Sequence, residues 1–206
     1  METLPPAQRQ LFRTLEPFIL ASASPRRRRL LQSLGLEFDI IVSGVDEVQG
    51  GADSPSEMVL GWARDKARTV AAIHRECWVL AADTIVVVAG TILGKPVDTE
   101  DARHMLAQLS DRKHEVITAI CLRHEQNRHE EAESVLTQVR FKKLSTAEID
   151  AYVASGEPLD KAGAYGIQGL GGCLVRSING SYSNVVGLPL CESIEHLAAH
   201  GIITPR

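Results

Sequence analysis

The sequence predicts a single α/β domain. Three observations predict it: apolar runs with the length of buried strands, amphipathic stretches of helical period among them, and no linker or internal repeat that would divide the chain. Hydrophobic residues make up 44% and charged residues 23% of the 206 positions, enough apolar surface for one well-cored unit.

Residues 1–17 mix prolines with scattered charges and read as a loosely held extension, without the apolar run of a signal peptide. Phe18–Ser22 is a short buried strand. Ser24 and Pro25 then supply the cap and first residue of a helix that ends near Gly35. Phe38–Ser43 reads as a second strand, and a polar loop leads to a long helix over about Pro55–His74. Trp78–Val88 is a strand, Ala89-Gly90 a turn, and Thr91–Leu93 the returning arm of a hairpin. A helix over Thr99–Leu109 precedes strands at His114–Arg123 and Val135–Phe141. After a helix at Thr146–Ala154 comes a glycine-rich stretch, then a strand at Cys173–Ile178, a turn at Asn179-Gly180 and a closing helix over Leu188–His200.

Lys plus Arg number 22 and Asp plus Glu 26, a net charge of −4, which argues against attachment to nucleic acid by bulk electrostatics. No apolar run approaches the roughly 20 residues a bilayer span needs. Cys77, Cys121, Cys173 and Cys191 contain no CxxC pair and are expected as free thiols in a reducing cytoplasm.

Three features carry chemistry. The segment ASASPRRRRLLQSLG places four arginines in the first turns of a helix, where the macrodipole disfavours each by roughly a few tenths of a kcal/mol. An anion docked on the helix start would offset that cost. At about 100° per residue, Arg27 falls on the stripe of Leu30, Leu31 and Leu34 with Arg26 at its edge, so these two are the candidate phosphate binders. Arg28 and Arg29 point to solvent. In the long helix, Met58, Val59, Trp62, Ala63, Val70 and Ile73 form one stripe with Lys66 at its centre. Lys66 either snorkels outward or faces a cleft that holds an anion. Asp83 follows the apolar run VLAA; it is a turn residue or a site carboxylate at a strand end. Lys95 closes the hairpin arm, a position that can bring it near Asp83, and Asp46 and Glu47 are either further acidic candidates or solvated loop residues. Separated carboxylates of this kind suit Mg²⁺, which needs only one or two from the protein. The chain has no GxxxxGK[ST] loop, GxSxG elbow, HExxH pair or CxxC set.

SASPRR, AADT, LGKP and EPLDKAGAYGIQGLGG, in this order, resemble the Maf proteins, a family of nucleotide pyrophosphatases, over about residues 18–200. The resemblance implies an elongated mixed sheet flanked by helices, with two lobes and a central cleft, similar to inosine triphosphate pyrophosphatase. It implies attack of water at the α-phosphorus with a divalent cation, Mg²⁺ or Mn²⁺. Carried over residue by residue, Asp83 is the proton acceptor; Ser22, Arg26, Arg27, Lys66 and Lys95 line the phosphate cleft; Glu47 joins Asp83 at the metal. Arg26, Thr84 and Gln168 resemble the dTTP/UTP subgroup, whereas the 7-methyl-GTP subgroup lacks DKAGAYGIQG. Asp46 stands where glutamate is frequent. The expected partner is a nucleoside triphosphate, with no nucleic acid or membrane, and a homodimer is left open. Two classes compete, a non-hydrolysing nucleotide regulator and a nucleic-acid binder that uses the arginine helix, and within the enzyme reading a 7-methyl-GTP preference is the runner-up.

Overall fold

The computed structural model describes residues 10–45 and 54–206. In chain order its elements begin with β1 (Phe12–Thr14), β2 (Phe18–Leu20), α1 (Pro25–Ser33), β3 (Asp39–Ile40), α2 (Pro55–Ile73), β4 (Trp78–Val88) and β5 (Thr91–Leu93). They continue with α3 (Thr99–Leu109), β6 (Lys113–His124), β7 (His129–Phe141), α4 (Thr146–Ala154), β8 (Val175–Asn179), α5 (Tyr182–Val186), α6 (Leu190–Ala199) and β9 (Ile203–Pro205). Three short 3-10 turns fill the glycine-rich stretch, at Glu157–Asp160, Ala162–Ala164 and Leu170–Leu174.

Seven strands form one mixed sheet in the order β3-β2-β4-β6-β7-β8, with β5 also beside β4. Strand β4 organises it. Along one edge β4 pairs antiparallel with β6, from Trp78 opposite His124 to Val87 opposite Glu115. Its other edge is shared. β2 runs parallel to Trp78–Leu80, and β5 folds back antiparallel on Val86–Val88. Between Leu80 and Val86, among the described residues, no strand flanks that edge.

Alternation along β4 sends its side chains to two faces. Val79, Ala81, Ile85 and Val87 meet Val59, Ala63, Ala67 and Val70 of α2. On the opposite face Trp78, Leu80 and Ala82 join Leu31 of α1 and Leu197 of α6. Further along, Val86 joins Leu106 of α3 and Val153 of α4. One face therefore carries a single long helix, and the other carries two separate cores. The unflanked stretch of β4 lies where those cores part, and the two lobes follow from that division.

Local chemistry sets the helix starts. Ser54 accepts from the Glu57 N–H ahead of Pro55, and Asp98 accepts from the Asp101 N–H. Ser145 and Glu148 form a reciprocal capping box on α4.

Several expectations need correction. Phe12–Thr14, read as part of a loose extension, pairs antiparallel with Ile203–Pro205, because Phe12 packs against the α1/α6 core. The second strand shrinks to Asp39–Ile40, both exposed. β7 starts at His129 rather than Val135. Its acidic first half pairs with β6 throughout and answers cations outside the strand, as Glu130 does with Arg68. Cys173 belongs to a 3-10 turn, and α5 is an additional helix. Ile73, placed on the apolar stripe of α2, is 75% exposed at the helix end. No helix among the described residues is long and apolar enough to cross a membrane.

Candidate active site

A cleft of about 840 Å³ opens beside the unflanked stretch of β4. Ser22, Arg26, Arg27, Lys66, Asp83, Thr84, Lys95 and Gln168 all line it. Glu47 and Asp46 lie outside the described residues.

Alternation places Asp83 on the α2 side of the sheet and Thr84 on the α1 side. Asp83 is buried at 5% exposure. Its Oδ2 lies 2.5 Å from Lys66 Nζ, and its Oδ1 accepts the Thr84 N–H at 2.8 Å. Lys66 thus leaves the middle of the apolar stripe to meet a carboxylate in the cleft wall, and its side chain is 12% exposed. Two contacts fix the plane of the Asp83 carboxylate, and each oxygen keeps a lone pair for another partner.

Arg27 turns inward, as its helical phase predicts, and is 8% exposed. Its guanidinium donates to Gly187 O at 2.6 Å, Ala82 O at 2.8 Å, and the hydroxyls of Ser22 and Thr84 at 3.0 Å each. The bond to Ala82 satisfies a carbonyl on the unflanked edge of β4, which would otherwise want a strand. Gly187, with φ +118°, ends α5 in a conformation that L side chains rarely adopt, and this turns its carbonyl toward Arg27. Arg27 therefore joins α1, β4 and α5 at the cleft floor. Thr84 Oγ1 also lies 2.9 Å from Thr118 Oγ1, so its hydroxyl is committed within the wall.

At the rim, Arg26 Nη1 meets Asp160 Oδ2 at 3.0 Å. Lys161 Nζ reaches Asp160 Oδ1 at 2.5 Å and the Glu157 carbonyl at 2.6 Å. Burial pushes the Asp160 carboxyl up, but hydrogen bonds from Lys161 and Arg26 outweigh it and hold the group below the usual carboxylate range. Lys95 is exposed on the opposite lobe, and among the described residues its side chain makes no ion pair or hydrogen bond.

Gln168 rides on the glycine-rich strap, which Glu157 secures. That carboxylate accepts the Leu170 and Gly171 N–H groups at 2.8 and 3.1 Å and the Tyr152 hydroxyl at 2.9 Å. Burial raises Glu157, but these donors and Lys161 prevail and its pKa is lowered. The strap presses so closely on Glu157 that a Cβ at Gly169 would lie 2.3 Å from its Oε2. A side chain at residue 169 would therefore have to displace the Glu157 carboxylate from the N–H groups it holds.

Sequence reasoning missed Glu157, Asp160, Lys161 and Arg29, all of which line the cleft. Arg29 is exposed as expected but stands at the cleft edge. The DK pair inside the glycine-rich stretch was the available signal for Asp160 and Lys161. With them, among the described residues, six cationic lining residues face three acidic ones, in a chain whose net charge is −4. Positive charge is concentrated here against the overall balance, and an anion is the ligand such a field favours.

The fold and cleft define a two-lobed α/β protein whose cation-lined cleft surrounds a buried carboxylate. The chain belongs to the Maf-like protein family, whose sequence profile matches residues 17–200. It is 48% identical over 190 residues to the dTTP/UTP pyrophosphatase of Halalkalibacterium halodurans, covering 92% of this chain and 99% of that one. It is 47% identical over 194 residues to the dTTP/UTP pyrophosphatase of Desulfotalea psychrophila, covering 94% and 100%. The dTTP/UTP pyrophosphatase of Escherichia coli strain K12 is 52% identical over 180 residues, 87% of this chain and 90% of that one. A solved Ham1 protein of Staphylococcus aureus shares 14% identity at TM-score 0.44, over 61% of this chain and 72% of that one.

Proposed function

We propose that this chain is a nucleoside triphosphate pyrophosphatase that cuts dTTP and UTP into the monophosphate and pyrophosphate. The observation that carries the reading is one cleft in which Asp83, held by Lys66, faces a surplus of cations from both lobes. Relatives near 50% identity that bear the name dTTP/UTP pyrophosphatase over almost their whole length support the choice of substrate.

In this reading the triphosphate lies between Arg26 on one lobe and Lys95 on the other, with Ser22 and the Arg27 charge at the floor. These groups stabilise negative charge as the α–β bond breaks, a role usually worth several kcal/mol. Asp83 accepts the proton of the attacking water through a free lone pair, while Lys66 and the Thr84 N–H hold its carboxylate in place. The Gln168 amide both donates and accepts, which suits the edge of uracil or thymine.

No histidine or cysteine is among the described lining residues, and that oxygen-donor chemistry fits a hard divalent cation such as Mg²⁺ or Mn²⁺. Asp83 and Glu47 would hold it. Bound there, such an ion neutralises phosphate charge and acidifies a water. The reading extends to a cytoplasmic setting, supported by four free thiols.

The test is a panel of nucleoside triphosphates incubated with the pure chain and Mg²⁺, with products identified. We expect dTTP and UTP to react fastest and to release pyrophosphate. Intact dTTP and UTP, release of orthophosphate, or a preference for 7-methyl-GTP would overturn the assignment.

A further inference from the structure

On the face of the sheet that carries α6, a second polar cluster stands apart from the cleft. His129 and Glu131 lie two residues apart on β7 and so point to the same face. His196 and His200 lie four apart, the latter capping the end of α6, and so share one helix face. The two pairs meet. One nitrogen from each of His129 and His200 and one carboxylate oxygen of Glu131 all lie within 4.8 Å of one another. None of these residues lines the cleft.

We propose that His129, Glu131 and His200 form a binding site for a divalent transition-metal ion, zinc in the first instance. Four arguments support it. The donor set is two imidazoles and a carboxylate, which suits zinc and its neighbours and does not suit Mg²⁺. Ligand atoms bonded at roughly 2 Å in a tetrahedron stand about 3.3 Å apart. Here Glu131 Oε2 lies 3.1 Å from His200 Nε2 and 3.8 Å from His129 Nε2, values that bracket that spacing. His129 Nε2 is itself a buried nitrogen with no hydrogen-bond partner, 3.8 Å being too long for one. An ion between it and the carboxylate supplies the missing partner.

The fourth argument is the outer shell. His196 Nδ1 lies 3.0 Å from Glu131 Oε2, and its Nε2 lies 3.1 Å from Glu133 Oε2. His196 therefore orients the ligating carboxylate in the way that second partners of metal ligands do. The Glu131 side chain is 47% exposed, so an ion enters from solvent and water completes its coordination. An ion held there clamps the end of α6 onto the β6–β7 hairpin.

The full chain, freed of metal and kept in excess Mg²⁺, is titrated with ZnCl₂ by calorimetry. We expect one ion per chain, with affinity weakened at least tenfold in His129→Ala and in His200→Gln and unchanged in His104→Ala, an exposed histidine on α3. Zinc at about ten times Kd raises the wild-type Tm by roughly 3–6 °C. Co²⁺ in place of zinc gives the visible bands of a four-coordinate site, and His200→Gln abolishes them. Glu131→Gln provides the same readout where an alanine variant does not fold. Absence of zinc binding to wild type, or equal affinity in all variants, overturns the proposal. No cleft residue takes part, so this titration and the dTTP assay fail independently.

Discussion

Single residues carried most of what could be read about the site. Lys66 in mid-stripe, Asp83 at the end of an apolar run and Arg27 on a leucine face each put charge where burial penalises it. The structure brings all three to one cleft. Legibility stopped where a residue's meaning depends on a distant partner: nothing local marks Glu157 as the anchor of two N–H groups more than ten positions away. The same holds for His114, a buried ring on β6 whose Nε2 lies 2.8 Å from the Tyr165 hydroxyl. Burial lowers its pKa to about 4. The unfolded chain, with an ordinary histidine near pH 6.5, therefore takes up a proton that the folded chain refuses. Stability is fully present above about pH 6.5 and is lost as pH falls toward the folded value. Between pH 7 and 4.5 this group alone removes about 2 kcal/mol. Urea unfolding at both pH values should show wild type losing that much more than His114→Phe, and equal losses would mean that the ring is protonated when folded.

Two helices were read to the residue. α3 spans Thr99–Leu109 and α4 Thr146–Ala154, the bounds expected from the sequence. β4 and its hairpin were equally plain. Elements without a burial pattern were not: β3 is two exposed residues, and the first half of β7 is acidic because its partners lie on neighbouring elements. The glycine-rich strap carries no period at all. Its shape comes from contact with Glu157 and Tyr152, so that carboxylate should govern how well Gln168 is positioned. Replacing Glu157 with Ala leaves two strap N–H groups without their acceptor. Steady-state kinetics should then show KM for dTTP rising roughly tenfold, with kcat changed much less. A loss confined to kcat would mean that the strap acts on the chemistry rather than on binding.

At the scale of the whole molecule, the sequence indicated one α/β domain, while the two lobes and cleft were expected only through resemblance to the Maf proteins. The physical reason is that the cleft comes from strand pairing rather than from composition. β4 is flanked by β2 at one end and β5 at the other, and the stretch between them holds Asp83. Such a gap is a property of register, which no single segment reveals. It also explains the chemistry assigned to it: an unflanked strand edge, a buried carboxylate and cations from both lobes converge where a triphosphate can lie across them. The most direct measurement is hydrolysis of dTTP in ¹⁸O-labelled water with Mg²⁺, by wild type and by Asp83→Asn, with both products analysed by mass. The account predicts label in the monophosphate, none in the pyrophosphate, and a rate lowered about 10²–10⁴-fold in the variant. Label in the pyrophosphate, or a variant as fast as wild type, would contradict it.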